Sequence, residues 1–316
     1  MILFINQEFA KCGVYQFGKN IGNIIQTVNE EKFGIIGNCI PCMHMKNVVL
    51  YKECKDGSDF FKILENYKPE AIIFNHHPIP MSWLIITHAK IKPSALIVHD
   101  FPENWSGVAN IYVDPTYIEN GINYKLNRPI LRHQSNKNVI PNSVGSFGFG
   151  FSHKCFEKLI QLVNNEFDEA VIRLHIPFNT HVDKHGMHAI HTARRCREVP
   201  KKENIKLEIN HDYMTDNQLL DWLSENEVNC FIYEGNFSTG VSSATDWAIA
   251  AKRPIAITNH KLFRHLVNIQ PSLLIENGIK NVIKNGFDAV AKATETWTYE
   301  NMYNDLVRIG NACIRS

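Results

Sequence analysis

Apolar runs of strand length alternate with longer stretches of helical spacing from one end of the chain to the other. That alternation predicts parallel sheets flanked by helices, an α/β protein. The strand-length runs are 2–5, 48–51, 71–74, 95–98 and 111–113 in the first half, then 143–147, 170–175, 205–209, 228–233 and 254–257 in the second. Helical spacing covers 60–67 and starts again near Lys154, Met187, Asp216, Ser242 and His260, with Thr215 as the cap of the helix at Asp216. At the end of the chain Met302, Leu306, Ile309 and Cys313 fall on one stripe, which predicts a closing helix over 299–316.

Between the halves, residues 127–142 are rich in Asn, Pro and basic side chains and poor in apolar pattern, as suits an interdomain connection. A boundary near Lys137 gives an N-terminal domain at 1–136 and a second at 137–298. The 316 residues are enough for two cores of ordinary size. Hydrophobic content of 44% with 21% charged residues is that of a water-soluble globular enzyme, and no run nears the roughly 20 apolar residues of a membrane span. The chain opens on the strand MILFI without a basic stretch and a signal-type apolar region, so a cytoplasmic location is expected.

Net charge changes the picture only by exclusion. At +1 it offers no excess of Lys and Arg for nucleic-acid backbones, so nucleic acid is not the expected partner. Among the eight cysteines, Cys39 and Cys42 form a lone C-x-x-C pair with no second pair or His partners at zinc spacing, and reduced thiols are expected. His175, His181, His185, His188 and His191 are dense, but Gly186 interrupts the face that His181 and His185 would share, and no metal is expected there. The run GSFGFG places glycines at 145, 148 and 150, which is not the order of a nicotinamide fingerprint.

Chemistry concentrates in residues 233–258, YEGNFSTGVSSATDWAIAAKRPIAIT. A strand ends at Glu234, a loop with Gly235 and Gly240 follows, and Ser242 and Ser243 stand at a helix start. Small residues there let a ligand approach the backbone, and the amides and dipole of the helix start suit a diphosphate. Asp246, one turn on, suits the hydroxyls of a ribose. The same residues also read as a serine cap and a first-turn acid.

This segment resembles the donor-site region of GT-B-fold glycosyltransferases, in particular the retaining group 1 enzymes, through DWAIAAKRPIAIT. Weaker likenesses follow in the family's order: CGVYQFG with Gly13, ALIVHDFP with His99 and Asp100, and VGSFGFGFSHKCFEKLI with Lys154. The resemblance implies two Rossmann-like domains with parallel sheets facing a central cleft, an enzyme that moves a sugar from a nucleotide-diphosphate sugar, and no cofactor or metal. It implies donor binding by Gly13, Lys154, Gly240, Ser242, Ser243 and Asp246, with the base near Tyr213 and Met214. It also implies His99, Asp100 and Glu234 near the reacting sugar. His76 and His77 follow the strand AIIF, at the carboxyl end where open α/β sheets place ligands, and are expected at the cleft.

Two positions depart from the family pattern. Ser238 stands where the first of two acids separated by seven residues is expected, with Glu234 four positions earlier. Phe147 stands where an arginine partners the lysine, and Arg173 on the next strand is the substitute candidate. The acceptor, whether glycan, lipid or another hydroxyl, is open. A sugar-nucleotide epimerase of the same fold and a catalytically silent GT-B module that binds a glycan or a partner are the alternatives.

Overall fold

The computed structural model describes residues 1–6, 12–37, 47–49, 57–75, 93–99, 109–178, 183–235 and 240–315. His76, His77, Asp100, Cys39, Cys42, His181 and Ser238 lie outside them. By contacts the chain divides into one unit of Met1–Pro129 with Trp297–Ser316, and a second of Ile130–Thr296.

The described residues of the first unit build a seven-stranded sheet from β1 (Ile2–Asn6), β2 (Phe33–Ile36), β3 (Val48–Val49), β4 (Ala71–Asn75), β5 (Ser94–Val98), β6 (Ala109–Tyr112) and β7 (Asn123–Lys125). Its order is β3-β2-β1-β4-β5-β6-β7, and every pairing is parallel. The central strands are buried along their whole length, which is why they read as continuous apolar runs rather than alternating ones. Helix α1 (Gly13–Val28) buries Phe17, Ile21, Ile24 and Ile25 on one side of the sheet, and α2 (Gly57–Tyr67) buries Phe60, Ile63 and Leu64 in a second cluster.

The second unit has a five-stranded parallel sheet of β8 (Ile140–Phe147), β9 (Ala170–His175), β10 (Ile205–Asn210), β11 (Asn226–Phe231) and β12 (Ile255–Ile257), in the order β10-β9-β8-β11-β12. Around it run α3 (Phe156–Glu166), α4 (Met187–Glu198), α5 (Asp216–Ser224), α6 (Ala244–Ala250), α7 (Ile279–Asn285) and α8 (Asp288–Ala293). Thr215 caps α5 with a reciprocal bond to Gln218, the capping box that T-D-N-Q spells. The last helix, α9 (Tyr299–Arg315), returns to the first unit, where Met302, Leu306, Ile309 and Cys313 join its core.

Both sheets have the open, doubly wound order in which the chain reverses direction beside the first strand. In such sheets ligands bind outside the carboxyl ends of the strands at that reversal. The reversal lies between β1 and β4 in the first unit, and between β8 and β11 in the second.

Candidate functional site

In the second unit the reversal carries a charged cluster. After β8 the chain turns through Gly148 and a short 3-10 turn, Ser152–Lys154, before α3. Gly148 has φ +147°, and a Cβ there would stand 3.0 Å from Lys154 Cδ, Cε and Nζ. Glycine is therefore what lets the lysine side chain lie back across the turn. So placed, Lys154 Nζ donates to the Tyr233 hydroxyl at 2.5 Å and stands 4.4 Å from that ring's centroid. The Tyr233 hydroxyl shares a second hydrogen bond, 3.2 Å, with Ser242 Oγ.

Aromatic and imidazole rings close around this array. Tyr233 packs on Phe263 at 4.7 Å and edge-on to His153 at 5.7 Å. Burial, then the charge of Lys154, then His260, push the His153 pKa down to about 4, so His153 is a neutral neighbour of the lysine near pH 7. His260 is 2.7 Å from the Gly235 carbonyl through Nε2 and accepts the Leu262 amide through Nδ1. A carbonyl can only accept, so the imidazole proton sits on Nε2. Arg264 donates to the Gly240 carbonyl at 2.8 Å, which ties the buried Gly240 to the segment after β12.

The other donor-site candidates fall around this centre. Ser243 is the residue before α6 and makes no side-chain capping bond, so the helix begins two residues later than the expected start at Ser242. Asp246 is buried within α6. Met214 packs with Phe147, Trp222 and Trp247 around Leu219 and Leu223, whereas Tyr213 is 56% exposed. Glu234 is half-exposed and paired with Lys158, whose ammonium holds the carboxyl below its ordinary range.

Arg173 does not join the cluster. It is buried in mid-sheet, donates to Asn226 Oδ1 at 2.7 Å and to Glu225 at 2.8 Å, and lies 5.0 Å over the Trp222 ring. A buried guanidinium needs such partners, and these engage its charge inside the fold.

The first unit carries a different set at its own reversal. Asn6 and Asn75, the last residues of β1 and β4, are directly paired and fully buried. Asn75 Nδ2 donates to Asn6 Oδ1 at 2.8 Å and to the Val14 carbonyl at 2.9 Å. Its Oδ1 is then the acceptor facing His99 Nε2 at 2.7 Å, which assigns the imidazole proton to Nε2. Phe17 meets the His99 ring edge-on at 5.1 Å. Gly13, expected in a loop, is the exposed first residue of α1 with Cys12 as its cap, so the glycine opens a helix.

Sequence reasoning passed over Tyr233, His153, His260, Arg264 and the Asn6–Asn75 pair. Tyr233 lay inside the segment already singled out, and an aromatic hydroxyl at a strand's carboxyl end was the available signal. His260 and Arg264 flank the short 3-10 helix Lys261–Phe263 just past β12, where no spacing rule points to Lys154. Among the described residues no group of three or more His, Cys, Asp or Glu side chains is placed to hold a metal ion, and no helix is long and apolar enough to cross a membrane.

The fold is shared with solved glycosyltransferases. Anabaena Alr3699/HepE, in a complex with UDP and glucose, superimposes with a TM-score of 0.67 at 10% identity, over 97% of this chain and 98% of that one. AviGT4, a glycosyltransferase involved in avilamycin A biosynthesis, gives 0.66 at 11% identity over 100% and 98%. An α-glucosyltransferase in complex with UDP-glucose and DNA containing an abasic site gives 0.56 at 11% identity over 99% and 93%. No protein-family profile and no curated protein sequence matches the chain. The likeness is one of fold, and the chain has the GT-B fold, two Rossmann-like α/β units.

Proposed function

We propose that the protein is a glycosyltransferase that moves a sugar from a nucleotide-diphosphate sugar to an acceptor hydroxyl, with retention of configuration and without a metal. The observation that carries this reading is the Lys154–Tyr233–Ser242 array at the sheet reversal of the second unit. Breaking the bond between sugar and diphosphate leaves negative charge on the phosphate oxygens, and donors already in place stabilise it best. Lys154 supplies the full positive charge, while of the Tyr233 and Ser242 hydroxyls, which share one hydrogen bond, the one that accepts in it keeps its O–H to donate beside the lysine. The likeness to enzymes bound to UDP supports a uridine nucleotide as the first donor to test.

The remaining roles follow from position and resemblance. Asp246 takes the ribose hydroxyls, Ser243 and the backbone at Gly240 border the diphosphate, and Tyr213 with Met214 flank the base. Glu234, kept ionised by Lys158, orients the sugar in place of the acid absent at Ser238. His99, with its Nε2 proton directed to Asn75, has its assigned role beside the transferred sugar.

Calorimetry with UDP tests the reading. Lys154→Ala is expected to weaken binding by about 10- to 100-fold, the equivalent of the roughly 1.5–3 kcal/mol of hydrogen bonds to a charged group, with the melting temperature unchanged. No binding of any nucleoside diphosphate to the wild-type protein overturns it. Incubation with nucleotide sugars and no acceptor separates the enzymes: slow hydrolysis fits a transferase, and an epimerised donor assigns the fold-sharing epimerase instead.

A further inference from the structure

Beside the turn that carries Lys154, the second unit has a cavity of about 350 Å³ between residues 150–153 and the exposed face of α4. Its side chains are Phe151, Ser152, His153, His188, His191 and Arg195, and none of them is acidic. Lys154, Tyr233 and Ser242 are not among its walls, and His153 stands between it and the candidate diphosphate site.

Several contacts give the pocket a fixed shape. Thr192 Oγ1 donates to the Gly150 carbonyl at 2.8 Å, which fastens the turn to α4. The Phe151 ring stacks on His153 at 5.7 Å and meets His188 at the same distance, forming one wall of rings. Arg195 is held by Glu157 at 2.5 Å through Nε and donates to Thr192 Oγ1 at 3.0 Å through Nη2. A guanidinium has five N–H donors, and these two bonds orient it without using the others.

The charge of the walls points the same way. They carry one cation, Arg195, and three imidazoles, His153, His188 and His191, and no acid. Two of the nearest acids are already engaged, Glu157 by Arg195 and Asp183 by the amides of Met187, His188 and Ala189 at the start of α4. A pocket lined by N–H and O–H donors with no acid in its wall fits an oxyanion, and its ring wall fits the face of a sugar.

We propose that this pocket binds an oxyanion carried by the acceptor, so that the acceptor is an acidic or phosphorylated sugar rather than a neutral one. This rests on the glycosyltransferase reading, which is measured separately. Protein first titrated to saturation with UDP is titrated with glucose 6-phosphate, with glucuronate and with methyl α-glucoside. At least one anion is expected to bind ten times or more tighter than the glucoside, and whichever binds better identifies phosphate or carboxylate as the source.

His191→Ala and Arg195→Gln are each expected to weaken that anion fivefold or more, and Arg195→Lys to restore part of the loss, while UDP affinity changes less than twofold. Equal binding of the neutral glucoside, no saturable binding of either anion, or undiminished anion binding in both variants overturns the proposal. If UDP itself fails to bind, the donor reading falls while the anion titrations still report on the pocket.

Discussion

The two sheet reversals are built on one plan and filled with opposite chemistry. In the first unit the reversal holds Asn6, Asn75 and His99, a set joined by side-chain hydrogen bonds, with both amides fully buried. In the second it holds Lys154, Tyr233 and Ser242, a set with a full positive charge and only partial burial. A buried, satisfied network fixes the orientation and tautomer of the imidazole at its end. In the second unit the ammonium is seated against a phenol and only partly covered. The same topological position thus holds a buried, satisfied set in one unit and a partly open cation in the other.

The comparison breaks most sharply at the glycines that make room for each set. A Cβ on Gly18 would fall 1.8 Å from Asn6 Oδ1, so Gly18→Val is expected to destabilise the protein by about 3 kcal/mol through overpacking. Chemical denaturation measures that loss, and an unchanged midpoint contradicts the tight fit between α1 and the asparagine pair. Gly148→Ala combines a φ that side chains rarely adopt with crowding of Lys154. A cost of about 1–3 kcal/mol is expected, together with weaker UDP binding, since the lysine must move. A variant that loses stability but keeps its UDP affinity would separate the turn from the ligand site.

Removing one oxygen sharpens the contrast further. Tyr233→Phe keeps the ring under Lys154 and deletes the bridge to Ser242, so UDP affinity should fall about fivefold, near the ~1 kcal/mol of one hydrogen bond. Calorimetry on this variant and on Lys154→Ala shows whether the phenol acts through the lysine: if so, the double variant loses no more than Lys154→Ala alone.

The last contrast is in pH. Burial pushes both His153 and His175 down to about 4, from an ordinary value of 6.5. Between those values the unfolded chain binds protons that the folded chain does not, so the contribution of each neutral imidazole is whole above about pH 6.5 and is lost as pH falls towards 4. Denaturation midpoints measured at pH 7.5 and pH 5 should therefore drop, and His175→Asn should flatten the drop.

Much of the fold was legible because its strands are parallel and buried on both faces, which makes them continuous apolar runs bounded by polar turns. Ten such runs met strands in the structure, and the capping box at Thr215 and the stripe of α9 appeared as read. Two strands escaped. β7 is three residues, Asn-Tyr-Lys, with one buried side chain, and β2 contains Gly34, so neither shows a strong run. Helix α1 escaped because its start, C-G-V-Y-Q-F-G, reads like a glycine loop, although Tyr15, Phe17, Ile21, Ile24 and Ile25 keep helical spacing.

The site was legible in a different measure. Ser242 and Asp246 are marked by local pattern, because a strand, a glycine loop and a helix start are contiguous in the chain, whereas Lys154 is marked only by the family resemblance. Arg173 was misplaced because its partners, Asn226 and Glu225, lie more than fifty residues away, and only the folded sheet shows that its charge is engaged.

By itself the sequence determined the α/β class, the order of most elements, and the segment at 233–258 as the candidate site, since these depend on periodicity and on residues adjacent in the chain. The tertiary structure alone decided that Tyr233 joins Lys154 to Ser242, that Asn75 orients His99, and that α4 faces residues 150–153 across a pocket without acids. Those pairs are separated by up to 79 residues. Contacts between distant residues arise from how the strands are ordered and packed, and no local spacing encodes them.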